Sequence, residues 1–155
     1  MVKLDPIHNG STVRTAFLLE AVANLLSFPL ITHPALVLRL LLAHPSQSNP
    51  ASILFAKLFG GVVVGFLTPA LLYGYRNTKR GIESRTVTYV ALGLGEVMLI
   101  PLLLLEASKP TSQAALTSRA AIGATGLLLP PLLWRIYVLG VRPDMMGRYS
   151  EVKRE

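Results

Sequence analysis

Two acidic side chains stand alone inside long apolar runs. Glu20 lies within FLLEAVANLL, and Glu96 is the one charged side chain in residues 86–106, TVTYVALGLGEVMLIPLLLLE, before the acid that closes that stretch. A carboxylate in hydrocarbon costs about 2.5–3.5 kcal/mol on insertion scales, so intramembrane acids face a bundle interior, find partners and carry function. At ~1.5 Å of rise per residue both lie roughly 12–15 Å from the same membrane boundary, which makes them level. Asn24 sits one helical turn beyond Glu20 on the same face. Lys57, descending from the opposite side, reaches that layer with its stem. Glu20, Asn24, Glu96 and Lys57 therefore form the candidate site, a polar pocket at mid-depth walled by Leu, Phe and Met.

Two carboxyl groups in such a pocket repel each other and lose hydration, so they take split roles. One holds a proton and can protonate an epoxide or an alkene, while the other removes a proton or activates water. That chemistry suits hydrolysis, cyclisation or isomerisation of a lipophilic small molecule that partitions from the lipid bilayer, and it calls for no cofactor. Two other readings stand beside it. Glu20 can pair with Lys57 as a buried ion pair that sets helix register, with Glu96 bonding across helices; or the acids can relay protons in a small transporter. Glu106 and Arg119 are expected to partner each other at the far ends of their helices. Arg14, Arg135, Tyr73 and Tyr89 read as anchors near the membrane boundary.

Composition narrows the remaining chemistry. The 155 residues contain no cysteine, which excludes disulfides, thiolate nucleophiles and thiol-ligated metals. His8, His33 and His44 fall in the tail and the outer loops on opposite sides, so no metal site is expected. The chain is 52% hydrophobic and 15% charged with a mean hydropathy of +0.52, as in a polytopic membrane protein. Its net charge of +7 comes from residues at the ends of apolar segments, not from one basic face, so no nucleic-acid partner is expected.

The elements that must position the acids are long helices. Apolar runs predict spans over about 12–31, 51–75, 86–106 and 116–141, joined in a single all-α domain, a polytopic membrane four-helix bundle. The first run is longer than a secretory h-region and lacks a small-residue cleavage site, so it reads as a retained span. Residues 34–43 are too short to cross and carry Arg39, which predicts an interfacial helix. Residues 76–85 read as a hydrophilic connector, and Pro130-Pro131 as a kink. Gly61 and Gly65 have the spacing that lets another helix approach, whether within the chain or in a homo-oligomer. A faint repeat relates Gly65, Pro69, Leu71, Leu72 and Tyr73 to Gly126, Pro130, Leu132, Leu133 and Trp134, consistent with two parallel helical hairpins. With four spans, eleven of the 15 Lys and Arg residues, including Lys153 and Arg154, fall on the side of the termini. Arg39, Lys57, Lys109 and Arg119 fall on the other, so both termini are expected in the cytosol. No other targeting signal is visible, which points to the endoplasmic reticulum.

FLLEAVANLL in the first span, LGLGEVMLIPLLL in the third and LLWRIYVLGVRPDMMGRY at the end together resemble the small four-helix integral membrane proteins of fungal secondary metabolism. These belong to the same broad class as the anthrone-oxygenase-like and DoxX-like families. The resemblance implies a tailoring step on a polyketide or terpenoid, by a cyclase, isomerase or hydrolase.

Overall fold

The computed structural model describes residues 2–5 and 7–151. Lys153 and Arg154, counted above on the side of the termini, lie outside the described residues. Four helical segments are long and apolar enough to cross a membrane: Ser11–Thr32, Pro50–Tyr75, Lys79–Ala107 and Ser118–Val141. The chain is a multi-pass membrane protein of all-α architecture. Helices suit this setting because they satisfy backbone polar groups within the segment, where lipid supplies no partners.

The first span joins α1 (Ser11–Asn24) to α2 (Phe28–Thr32) through a 3-10 turn at Leu25–Ser27. Pro29 has no N–H to donate and its ring crowds the carbonyl four residues back, so the helix tightens just ahead of it. The short helix α3 (Pro34–Leu41) follows. The second span joins α4 (Pro50–Val62) to α5 (Thr68–Tyr75) through a π turn at Val63–Leu67. Pro69 again causes the irregularity, and the Thr68 hydroxyl donates to the Val63 carbonyl at 3.0 Å. The third span is one helix, α6 (Lys79–Ala107), and the fourth is α7 (Ser118–Ile136) with a π turn at Tyr137–Val141. α7 stays α-helical through Pro130 and Pro131, so the two halves of the faint repeat differ at their prolines.

The expected connector over 76–85 is mostly helix. α6 begins seven residues before the predicted span because Thr78 caps it, its hydroxyl accepting from the Gly81 N–H at 3.1 Å. Ile82 and Arg85 then turn inward and are buried. Only residues 76–78 remain as the turn, and it is tight: a Cβ on Gly81 would lie 2.2 Å from the Arg76 carbonyl oxygen.

α1 packs on α5, α2 on α4, α5 on α6, and α6 on α7. Both termini lie at one end of the bundle, where β1 (Val2–Leu4) pairs antiparallel with β2 (Tyr149–Glu151). At the opposite end the two hairpin loops are joined by Ala43 N–H to Ala115 O at 3.0 Å and Thr117 N–H to Leu41 O at 2.8 Å. The continuous core lies toward the terminal end and comprises Val13, Phe17, Ala21, Leu71, Tyr89, Val138 and Met146.

Close helix approach uses Gly60 and Gly74, not the Gly61/Gly65 pair. A Cβ on Gly60 would come within 3.0 Å of Leu30 and Ile31, and one on Gly74 would lie 2.4 Å from the Phe17 ring. Gly61 and Gly65 have nothing within 4 Å of an added Cβ.

Two arginines close the C-terminal end of α5. Arg85 is fully buried and donates from Nε to the Gly74 carbonyl at 2.8 Å, from Nη2 to the Arg76 carbonyl at 3.2 Å, and from Nη1 to the Met146 carbonyl. Arg14 Nε donates to the Tyr75 carbonyl at 2.8 Å. Cations at a helix C-terminus satisfy its unpaired carbonyls and its dipole together. Through Met146, Arg85 also ties the chain's last segment to the bundle.

Candidate functional site

Three helices each bring one charged side chain to a single point. α1 presents Glu20 beside the buried face made by Val13, Phe17 and Ala21. The inward stripe of α6 runs through Ile82, Arg85, Tyr89, Glu96 and Ile100, the spacing of one helix face. α7 buries Ala121, Thr125 and Arg135 on its corresponding face. Arg135 Nη2 donates to Glu20 Oε2, and Arg135 Nη1 donates to Glu96 Oε1. The side chains of Arg135, Glu96 and Glu20 are 3%, 9% and 18% exposed.

Aromatic side chains form the floor. The Arg135 guanidinium lies 5.4 Å from the Tyr89 ring centroid, and Phe17 stacks on that ring at 4.6 Å. Trp134 Nε1 donates to the Tyr89 hydroxyl at 2.9 Å, which fixes the ring that supports Arg135. Two atoms of the cluster, Glu96 Oε2 and Arg135 Nε, are buried without a hydrogen-bond partner among the described residues.

Glu20 and Glu96 thus meet at one depth, as their positions in the sequence predict, but through a third residue. Arg135 is not a boundary anchor. It stands six residues before the end of the fourth span, within reach of either boundary or interior by stem length alone. What could have marked it is its place four residues after Pro131 and beside the sole tryptophan in an otherwise apolar run. Tyr89, also expected at the boundary, is fully buried.

Lys57 does not join the site. It is exposed on α4, whose buried positions are Ala56 and Gly60, so its amine is on the outer surface and the Glu20–Lys57 pair does not form. Asn24 is half-buried at the end of α1, one turn from Glu20, and its side chain makes no hydrogen bond among the described residues. Glu106 pairs with Lys109 at 2.6 Å and accepts from the Leu116 N–H at 3.2 Å, instead of meeting Arg119. His33 Nδ1 lies 2.9 Å from the Thr32 hydroxyl, and His44 Nε2 lies 2.7 Å from the Thr111 carbonyl. Tyr73 is exposed. A surface cleft of about 310 Å³ between α3 and the following loop, lined in part by Arg39, His44 and Ser48, includes none of the three charged residues.

With both acids ionised, two carboxylates and one guanidinium carry a net −1. A single proton makes the cluster neutral and leaves a carboxylic acid, a carboxylate and a cation linked by hydrogen bonds. That set can donate and accept a proton in one event, and the fork of Arg135 fixes both acids at once.

No protein-family model, curated protein or solved structure matches the chain. What the fold and site define is a class: a four-span membrane protein with a buried acid–arginine–acid bridge.

Proposed function

We propose that this protein is a membrane-embedded acid/base catalyst acting on a lipophilic intermediate of polyketide or terpenoid biosynthesis, opening an epoxide or closing or isomerising a ring. The observation that carries the reading is the Glu20–Arg135–Glu96 bridge, with two acids held by one guanidinium in an apolar interior. In epoxide opening, one carboxylate takes a proton from water as the water oxygen attacks a ring carbon. The carbon–oxygen bond breaks, and the leaving oxygen takes the proton of the other acid. The product is a diol, and one proton passing between the two acids restores the starting state. In a cyclisation the acid protonates the substrate and the carboxylate removes a proton from the resulting cation, so no net proton is consumed.

Glu96 is assigned as the acid because it is the more buried, and Glu20 as the base. The natural-product setting follows the sequence resemblance. Cytosolic termini are favoured by the charge bias: Arg85 and Arg135 are buried and leave the count, so eleven less two gives nine basic residues against four. The endoplasmic reticulum is the proposed compartment. The open Gly61/Gly65 face is where a second copy would pack.

Glu20→Gln and Glu96→Gln test the reading, because each keeps an acceptor for Arg135. Either change in microsomes is expected to lower conversion by about 10²–10⁴-fold at unchanged protein level, the range for one general acid or base. Comparative metabolite analysis of a strain lacking the protein identifies the accumulating precursor. Full conversion by both variants would end the proposal.

A second reading, a non-enzymatic accessory subunit, is favoured by one observation: Arg135 engages both acids and so clamps α1, α6 and α7. Under that reading the same variants lose assembly or stability, not turnover. A proton-coupled transporter would instead show a dependence on the proton gradient.

A further inference from the structure

The end of the bundle opposite the termini carries a cleft that the acid–arginine bridge does not use. The first span ends at Thr32 and the second begins at Pro50, so α3 and the loop after it lie between two crossings, at one edge of the apolar layer. α3 packs on α2 and α4 with Pro34 and Leu38 buried, and it leaves Leu36 and Leu40, one turn apart, exposed. Beside them the cleft of about 310 Å³ has Leu38 and Leu42 on its apolar wall and Arg39 and Ser48 among its polar groups. The second hairpin loop holds its rim in place. Gln47 Nε2 donates to the Ala114 carbonyl at 2.8 Å, and His44 Nε2 to the Thr111 carbonyl at 2.7 Å.

Arg39 is exposed, and neither its guanidinium nor the Ser48 hydroxyl has a partner among the described residues. No acidic side chain among the described residues lines the cleft, and Glu106, the acid that closes the third span at this end, is held by Lys109 at 2.6 Å. His44 is already committed: a carbonyl only accepts, so its Nε2 carries a proton and gives it to Thr111. What is left is a planar cation with several N–H donors beside one hydroxyl, the set that suits a phosphate oxyanion. A free guanidinium next to exposed leucines at the edge of the apolar layer selects a ligand that carries an anion and hydrocarbon together. The volume is at the lower end of the range of about 300–1,000 Å³ for small-molecule sites, enough for a headgroup but not for the chains attached to it.

We propose that this cleft seats the headgroup of an anionic phospholipid. The phosphate accepts from the Arg39 guanidinium and the Ser48 hydroxyl, and the acyl chains run along Leu36 and Leu40. Because no carboxylate lines the cleft, a choline ammonium finds no partner there, and a headgroup of net negative charge is preferred to a zwitterionic one. The site is independent of the acid/base reading: Glu20, Glu96 and Arg135 are not among its lining residues, so either proposal can fail without the other.

The test uses the full chain in detergent micelles, with bound lipid measured by native mass spectrometry. The probes are phosphatidylglycerol, phosphatidylcholine and diacylglycerol with identical acyl chains, and water-soluble glycerol phosphate. A single tightly held phosphatidylglycerol is expected, bound several-fold tighter than phosphatidylcholine, with diacylglycerol weaker than either. Arg39→Gln is expected to weaken phosphatidylglycerol about ten-fold, the factor for a charge-assisted hydrogen bond, while the melting midpoint of the lipid-free protein stays the same. Ser48→Ala leaves every charge in place and is expected to weaken it several-fold. Arg119→Gln removes an exposed arginine at the same end but outside the cleft, and it is expected to leave the affinity unchanged. Equal binding of the three lipids, or full affinity in both Arg39→Gln and Ser48→Ala, overturns the proposal. An equal loss in Arg119→Gln overturns the location, since diffuse surface charge would then hold the lipid. Glycerol phosphate bound as tightly as phosphatidylglycerol overturns the choice of a lipid and leaves a site for soluble phosphate esters.

Discussion

Replacing Arg135 by Gln removes the guanidinium that both acids share and leaves a carboxylic acid and an unpaired carboxylate in an interior where Arg135 itself is 3% exposed. Breaking a buried pair by deleting one partner costs about 3–5 kcal/mol, because the remaining charge is stranded. Here the ionised carboxylate loses its cation, so Arg135→Gln is expected to fall in that range, about 10²–10⁴-fold in the unfolding equilibrium. Glu20→Gln leaves the Glu96–Arg135 pair intact and alters the most exposed member, so its cost is expected near or below about 1.5 kcal/mol. The triple variant Glu20→Gln, Glu96→Gln, Arg135→Gln carries no charge at the site, and it is expected to be more stable than Arg135→Gln alone despite having two further changes. Unfolding by steric trapping in bicelles measures all three against the parent. Wild-type stability for Arg135→Gln, or a triple variant no better than that single one, would refute a shared buried bridge.

Glycine substitutions separate the two faces of the second span. Gly74→Ala pushes a Cβ to 2.4 Å from Phe17 and is expected to cost about 1–3 kcal/mol by thermal melting. Gly65→Leu, in open space, is expected to leave the monomer's melting unchanged while lowering the dimer fraction seen by cross-linking in detergent. Trp134 is the only tryptophan, so Tyr89→Phe, which removes the acceptor of its N–H at 2.9 Å, is expected to shift its fluorescence emission. Unshifted emission would mean that the two rings do not meet. At the terminal end, the His8 and Ile7 backbone N–H groups and the His8 ring hold the Asp5 carboxyl below its ordinary value of 3.8. Its contribution to the pairing of the two chain ends is therefore complete above that value and lost as pH falls through the lower, folded one. The amide resonance of Arg148, which donates to the His8 carbonyl at 2.8 Å, is expected to report this transition, and Asp5→Asn to abolish it.

The four spans were legible because hydrophobic run length maps directly onto bilayer thickness, and the level placement of Glu20 and Glu96 followed from rise per residue alone. Span ends were less so. The start of α6 depended on Thr78 as a cap and on Arg85 turning inward, and a run of charged residues looks the same whether it is loop or helix. The rotation of each helix about its own axis decided the rest of the site. It brought Arg135 to both acids, sent Lys57 to the outer surface, and left Gly61 and Gly65 unfilled while Gly60 and Gly74 made the contacts. In a chain where almost every face is apolar, hydrophobic periodicity carries little information about facing, and a long cationic side chain near a helix end can point either way. Depth is therefore a property of the sequence. Which residues share a depth and also share a partner is a property of packing, set by where small residues let helices approach and where one guanidinium can satisfy two carboxylates.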